Sequence, residues 1–97
     1  MKILAMEIEA EGVRSEQYRP HLKAEARRVW ELYQSGMIRE LYFRADRSEA
    51  VLILECVDTN AANQVLRSLP LIQAGLIRFE VIPLVAYPGF ERLFGEK

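Results

Sequence analysis

Hydrophobic and polar residues alternate from the start of the chain. Over residues 2–9, Leu4, Met6 and Ile8 fall on one side and Ile3, Ala5 and Glu7 on the other, the two-residue period of a strand with one apolar face and one mixed face. Glu11-Gly12 breaks the pattern, and Ser15 with Glu16 offers a helix start. Pro20 would remove a hydrogen bond from a helix interior, so the regular helix is expected from Pro20 onward. There the period changes. Leu22, Ala26, Val29, Trp30 and Tyr33 recur at three and four residues, with Tyr18 on the same side if the helix begins earlier, while Arg27, Glu31 and Gln34 lie opposite. Gly36, after Ser35, supplies the left-handed cap that ends it.

Residues 37–44 and 50–57 are rich in β-branched and aromatic side chains, and the five residues 45–49 between them are turn-like, which predicts a hairpin. Asp58 caps a second helix with Ala62, Val65, Leu66 and Leu69 on one face, and Pro70 is expected to terminate it. A connector over 71–75 leads to a last strand at 76–85, where Pro83 argues for an edge position. The order implies an α+β fold, ferredoxin-like β-α-β-β-α-β, with a four-stranded antiparallel sheet and both helices on one face. If Leu4 and Leu52 face the helices, Ile3, Ala5, Val51 and Ile53 share the other face. A sheet apolar on both sides needs cover on both sides. That points to a second copy packed sheet to sheet, a dimeric α+β barrel, as a homodimer or a higher homo-oligomer. Phe90, Leu93 and Phe94 form a short amphipathic arm within 87–97, with a partner subunit as its expected resting surface.

Ninety-seven residues predict a single domain spanning 1–97. Thirteen basic and fourteen acidic residues are interleaved, with no basic stripe for nucleic acid or an anionic membrane. The apolar run before Glu7 is too short to span a membrane, so the expected compartment is the cytoplasm. The lone cysteine, Cys56, sits in an apolar run as an inert core thiol. No metal-ligand spacing, phosphate loop or dinucleotide turn is present, so no cofactor is implied.

Candidate chemistry is carried by charged residues at apolar boundaries. His21, Glu25, Arg28 and Leu32 run along the flank of the long helix. Glu25, nearest the core, is placed either as a partly desolvated general base or in a rim ion pair with Arg28. Glu55 continues the side of Val51 and Ile53 into the intersubunit space, where Arg39 or Arg44 would be its donor, or its partner in a structural ion pair.

Lys23-Ala24-Glu25, Gln34, Gly36, Arg39 and Leu41, followed by Leu69-Pro70-Leu71, Val81, Leu84 and Pro88, resemble the muconolactone delta-isomerase family over roughly residues 22–88. Two features depart from it: Tyr87 stands where family members tend to have His before the last proline, and the chain is about two residues longer between Leu71 and Val81. The resemblance implies a cofactor-independent isomerase that moves a proton and a double bond in a small cyclic carboxylated or carbonyl compound. Glu25 or Glu55 would be the base, Arg39 the anion holder and Tyr87 a hydrogen-bond donor to the enolate. The same scaffold also suits a non-catalytic dimer that binds a small ligand or serves in assembly, and, more remotely, a monooxygenase-like activity.

Overall fold

The computed structural model describes residues 1–95. Four antiparallel strands, β1 (Lys2–Glu9), β2 (Ile38–Phe43), β3 (Ala50–Glu55) and β4 (Ile77–Pro83), form one sheet in the order β2-β3-β1-β4. A short α1 (Ser15–Tyr18) runs through a 3-10 turn (Arg19–His21) into α2 (Leu22–Gln34). α3 (Thr59–Arg67) and α4 (Pro70–Gln73) form the second crossover, and α5 (Glu91–Phe94) lies in the arm. The sequence of elements is the ferredoxin-like β-α-β-β-α-β fold. Pro83 sits at the end of β4, an edge strand, where its missing N–H costs no ladder bond. Among the described residues no helix is long and apolar enough to cross a membrane.

The core lies between the sheet and the helices. Ile3 and Ala5 of β1, Leu52 and Leu54 of β3 and Ile38 of β2 meet Leu32 of α2 and Ala62, Leu66 and Leu69 of the second crossover. This reverses the expected parity of β1. Ile3 pairs with Leu54 and Ala5 with Leu52, so these four face the helices, while Leu4, Met6, Val51 and Ile53 share the open face. The strand is apolar on both sides, and alternation alone does not say which side the helices take. The expectation of a second apolar face holds with its membership exchanged.

α2 is likewise rotated from the arc seen in the sequence. Leu32 is its buried residue, whereas Trp30 remains 57% exposed and Leu22 and Tyr33 are also exposed. Arg28, on the core flank, donates to Ser68 Oγ at 2.8 Å and pairs with Glu31 at 3.0 Å, leaving Glu25 to another partner.

Two helix ends use the same device. Gly36 (φ +87°) lets Met37 N–H reach Leu32 O and Gly36 N–H reach Tyr33 O, closing α2. Gly75 (φ +75°) does the same for α4, with Leu76 N–H on Leu71 O. Residues 71–73, expected as part of a connector, thus form a helical turn together with Pro70. Pro70 ends one helix and begins the next, since a first-turn position needs no N–H and the ring presets φ. Asp58 caps α3 as predicted, its side chain accepting from Ala61 N–H at 2.8 Å.

β2 carries a bulge. Ile38 pairs with Leu54 but Glu40 pairs with Ile53, so Arg39 is the extra residue and Leu41 and Phe43 are returned to the helix side. Beyond β4 the chain leaves the sheet, and Phe90, Leu93 and Phe94 of the arm are exposed, Phe94 at 86%. The last two residues of the expected arm, 96–97, lie outside the described residues.

Leu54 is completely buried at the centre of this layer. Leu54→Ala is expected to lower unfolding free energy by about 2–5 kcal/mol in urea denaturation, the usual range for a leucine truncated in a packed core.

Candidate functional site

β1 points its odd-numbered residues toward α2, and after Ile3 and Ala5 the next on that side is Glu7. Glu7 lies opposite Phe79 of β4. Across from the sheet, α2 presents Glu25. Both glutamates line one cavity of about 410 Å³ enclosed by α2, the sheet and α4. Its other walls are largely apolar, from Leu22, Val29, Leu41, Leu52, Leu69 and Phe79 among others, with Tyr42 also at the lining.

Each carboxylate is fixed by one backbone donor. Leu71 N–H donates to Glu25 Oε1 at 2.9 Å. That N–H belongs to the first turn of α4, where helix geometry leaves amides without carbonyl partners. The Leu69-Pro70-Leu71 motif therefore builds the bracket that holds Glu25. Ala50 N–H donates to Glu7 Oε1 at 3.0 Å from the start of β3. Neither glutamate forms a side-chain ion pair among the described residues.

The electrostatic consequence follows from burial. Desolvation pushes the Glu25 carboxyl above the ordinary carboxylate range, opposed by the Leu71 N–H and by the charge of His21. Desolvation also pushes Glu7 up, opposed by the Ala50 N–H, and here the neighbouring charges are Glu49, Glu25 and Glu9, all of which raise it further. The two carboxyls share a cavity but differ in surroundings. Glu25 has a basic neighbour, and Glu7 has only acidic ones.

A second chamber adjoins the first, sharing Glu7, Leu22, Phe43 and Leu71 and adding Glu9, Ser15, Tyr18 and Ser48. The Tyr18 hydroxyl donates to Glu9 Oε2. Burial and the Glu9 carboxylate hold that phenol protonated well above its ordinary range.

Of the four side chains expected to meet, only Glu25 reaches the cavity. Glu55 is on the opposite face of the sheet, where the chain's terminal ammonium, at 2.7 Å, and nearby Arg39 and Lys2 hold its carboxyl below the usual range. Neither Arg39 nor Arg44 forms an ion pair with it. Arg39 is the bulge residue, and its Nε donates to Gly36 O at 2.6 Å in an adjoining groove lined by Trp30, Tyr33 and Glu40. Tyr87 is on the exposed arm, packed edge-on against Phe90 with ring centroids 5.2 Å apart. Glu7 was not anticipated as a partner for Glu25. The signal that would have found it is its shared parity with Ile3 and Ala5.

These features define a class: a ferredoxin-like α+β protein with a chamber of small-molecule size between its long helix and its sheet. The sequence profile of the muconolactone delta-isomerase family matches residues 3–89, and the chain belongs to that family. Among solved structures, a 5-chloro-2-hydroxyhydroquinone dehydrochlorinase from Burkholderia phenoliruptrix AC1100, in complex with 2,5-dihydroxybenzoquinone, is similar with a TM-score of 0.71 and 15% identity. It covers 92% of this chain and 98% of its own. A crystal structure of muconolactone isomerase is similar with a TM-score of 0.67 and 20% identity, covering 91% of this chain and 92% of its own. These two likenesses establish the fold. A search of curated proteins finds no match.

The raised carboxyls make stability pH-dependent in a defined direction. Between the ordinary carboxylate pKa and the raised value, the folded chain binds more protons than the unfolded one, so stability falls as pH rises through that window. Glu7→Gln keeps an oxygen for Ala50 N–H but no longer titrates. Its urea midpoint relative to wild type is expected to increase between about pH 4 and about pH 7.5. A pH-independent difference would show that Glu7 titrates alike in both states.

Proposed function

We propose that the chamber between α2 and the sheet is a proton-transfer site of isomerase type, which acts without a cofactor on a small cyclic carbonyl compound. The observation that carries this reading is the pair of half-buried glutamates, Glu7 and Glu25, facing one apolar cavity from opposite walls. Membership of the muconolactone delta-isomerase family supports it, as does the fold shared with a dehydrochlorinase bound to a dihydroxybenzoquinone.

Neighbouring carboxyls in unlike surroundings divide into a base and an acid. Glu25, beside His21, is the one that stays ionised and removes a proton from the carbon alpha or gamma to the carbonyl. The C–H bonding electrons pass into the conjugated system and place negative charge on the carbonyl oxygen. Glu7, ringed by Glu9, Glu25 and Glu49, is the one that holds its proton and donates a hydrogen bond to that oxygen. The proton on Glu25 then returns to the other end of the allylic system, and the double bond has moved with no net change in atoms or charge. Leu71 N–H keeps the Glu25 carboxylate oriented throughout.

The test is exchange and isomerisation of an unsaturated lactone in deuterated buffer. Glu25→Gln is expected to lower turnover about 10²- to 10⁴-fold, the ordinary worth of a general base. Glu55→Gln, on the other face, is expected to leave it unchanged. Full activity in Glu25→Gln would refute the assignment of the base.

The assembly belongs to the same reading. Leu4, Met6, Val51, Ile53 and Ile82 make the open face apolar at its centre, and the described chain has no further element to cover it. A second copy packed sheet to sheet would bury it, and the exposed arm with Phe90, Leu93 and Phe94 would lie across that copy. Light scattering is expected to give at least a dimer for wild type, and Ile53→Lys a smaller species with unchanged circular dichroism. A stable wild-type monomer at micromolar concentration would exclude this assembly.

A further inference from the structure

The ionisable side chains lining the glutamate cavity are Glu7, Glu25 and Tyr42, whose hydroxyl donates to Glu40, and the adjoining chamber adds Glu9 and Tyr18. No Lys, Arg or His side chain lines either space among the described residues. Basic residues nearby are paired elsewhere or lie outside the lining. Arg44 pairs with Asp46 and Glu49, and Arg47 pairs with Glu49, whereas Arg39, with its Nε on Gly36 O and no ion pair among the described residues, lies in the adjoining groove and not in the cavity lining. His21 acts on Glu25 by its charge but does not line the cavity.

The hydrogen-bonding inventory has the same bias. Glu7 and Glu25 each use Oε1 for a backbone donor, and the Oε2 atom of each accepts nothing from the described residues. The Tyr18 hydroxyl donates to Glu9. Apart from the proton that Glu7 gives to the ligand carbonyl, the chamber therefore offers acceptors and asks its ligand for donors. A ligand carboxylate would bring a further negative charge beside Glu25 and Glu9, with no cation in the lining to offset its lost hydration. Selection against a partner by an unpaired like charge is as effective as selection for one by a new contact. The volume of about 410 Å³ is near the low end of small-molecule sites.

We infer that the ligand of this site is an uncharged, single-ring carbonyl compound carrying at least one hydroxyl donor, and that the site discriminates against ring compounds bearing a free carboxylate. The inference rests on the proton-transfer reading for its ring and carbonyl, and on the one-signed lining for its charge. It separates this chain from the carboxylate-bearing lactone that gives its family a name.

The test compares two butenolides with the same ring, muconolactone and the analogue whose side-chain carboxylate is replaced by a primary alcohol. Binding is followed by ligand-observed NMR and proton exchange in deuterated buffer, at neutral pH. The alcohol is expected to be favoured at least about tenfold in binding and in kcat/KM, a difference that one unfavourable charge contact supplies. Glu25→Gln, which removes the ionised lining carboxylate but keeps the volume, is expected to narrow the binding ratio at least about threefold by improving the carboxylate. Equal or better handling of muconolactone would overturn the inference and leave the proton-transfer reading intact. Loss of that preference in Arg39→Ala would locate the anion in the adjoining groove. An alcohol that binds preferentially without any exchange would support the ligand class and overturn the chemistry. Neither compound binding or exchanging would overturn both.

Discussion

The hydrogen bond from Leu71 N–H to Glu25 joins the two crossovers of this fold at the point where its chamber is made. It requires a helix that begins at residue 70, because only a first-turn amide is free to leave the helix for a side chain. It also requires α2 to turn its Glu25 flank inward, which places Leu32 in the core and leaves Trp30 and Tyr33 on the outside. A carboxylate half removed from water must have a donor. Once this donor is the α4 backbone, the rotation of α2, the break at Pro70 and the chamber wall are a single arrangement.

The sheet carries a second constraint, apolar side chains on both faces. On the helix side the row Ile3, Ala5, Glu7 runs from a closed core into the chamber, so the same alternation that builds the core also delivers the second carboxylate. On the other side, an ammonium and two further cations favour the ionised form of Glu55, whereas burial disfavours it at Glu7 and Glu25. Three strand or helix glutamates of equal intrinsic acidity are thus divided by location alone.

The hairpin, the cap at Gly36, the Asp58 cap and the edge position of β4 were all legible in the sequence, because each rests on local chemistry: a turn composition, a left-handed residue, a side-chain acceptor and a proline. The orientation of elements was not. Ile3-Leu4-Ala5-Met6 is apolar at every position, and its parity is settled only by pairing with Leu52 and Leu54. The arc of Leu22, Trp30 and Tyr33 is the bulkiest on α2, yet the stripe that packs is the one compatible with the Glu25 and Arg28 partners. Glu25 was recognisable at a helix flank. Glu7 was hidden by the parity of its strand, and Glu55 lies on the face away from the helices as its spacing from Val51 and Ile53 implied, paired with the terminal ammonium and not with Arg39 or Arg44.

The bulge at Arg39 sets which β2 residues face the chamber. Before it, Ile38 points to the core, and after it Leu41 and Phe43 do so, where strict alternation from Ile38 would have turned Glu40 and Tyr42 inward. The chamber's composition on that wall is therefore controlled by the bulge as well as by residue identity. Deleting Arg39 would leave Ile38, Leu41 and Phe43 together on the helix side of a regular strand, whereas flattening the bulge with Arg39 kept in alternation would turn Glu40 inward in place of Leu41. The extra residue is absorbed in an edge strand, where the rest of the sheet is least disturbed, and the polarity of this wall is set by how the backbone spends one residue.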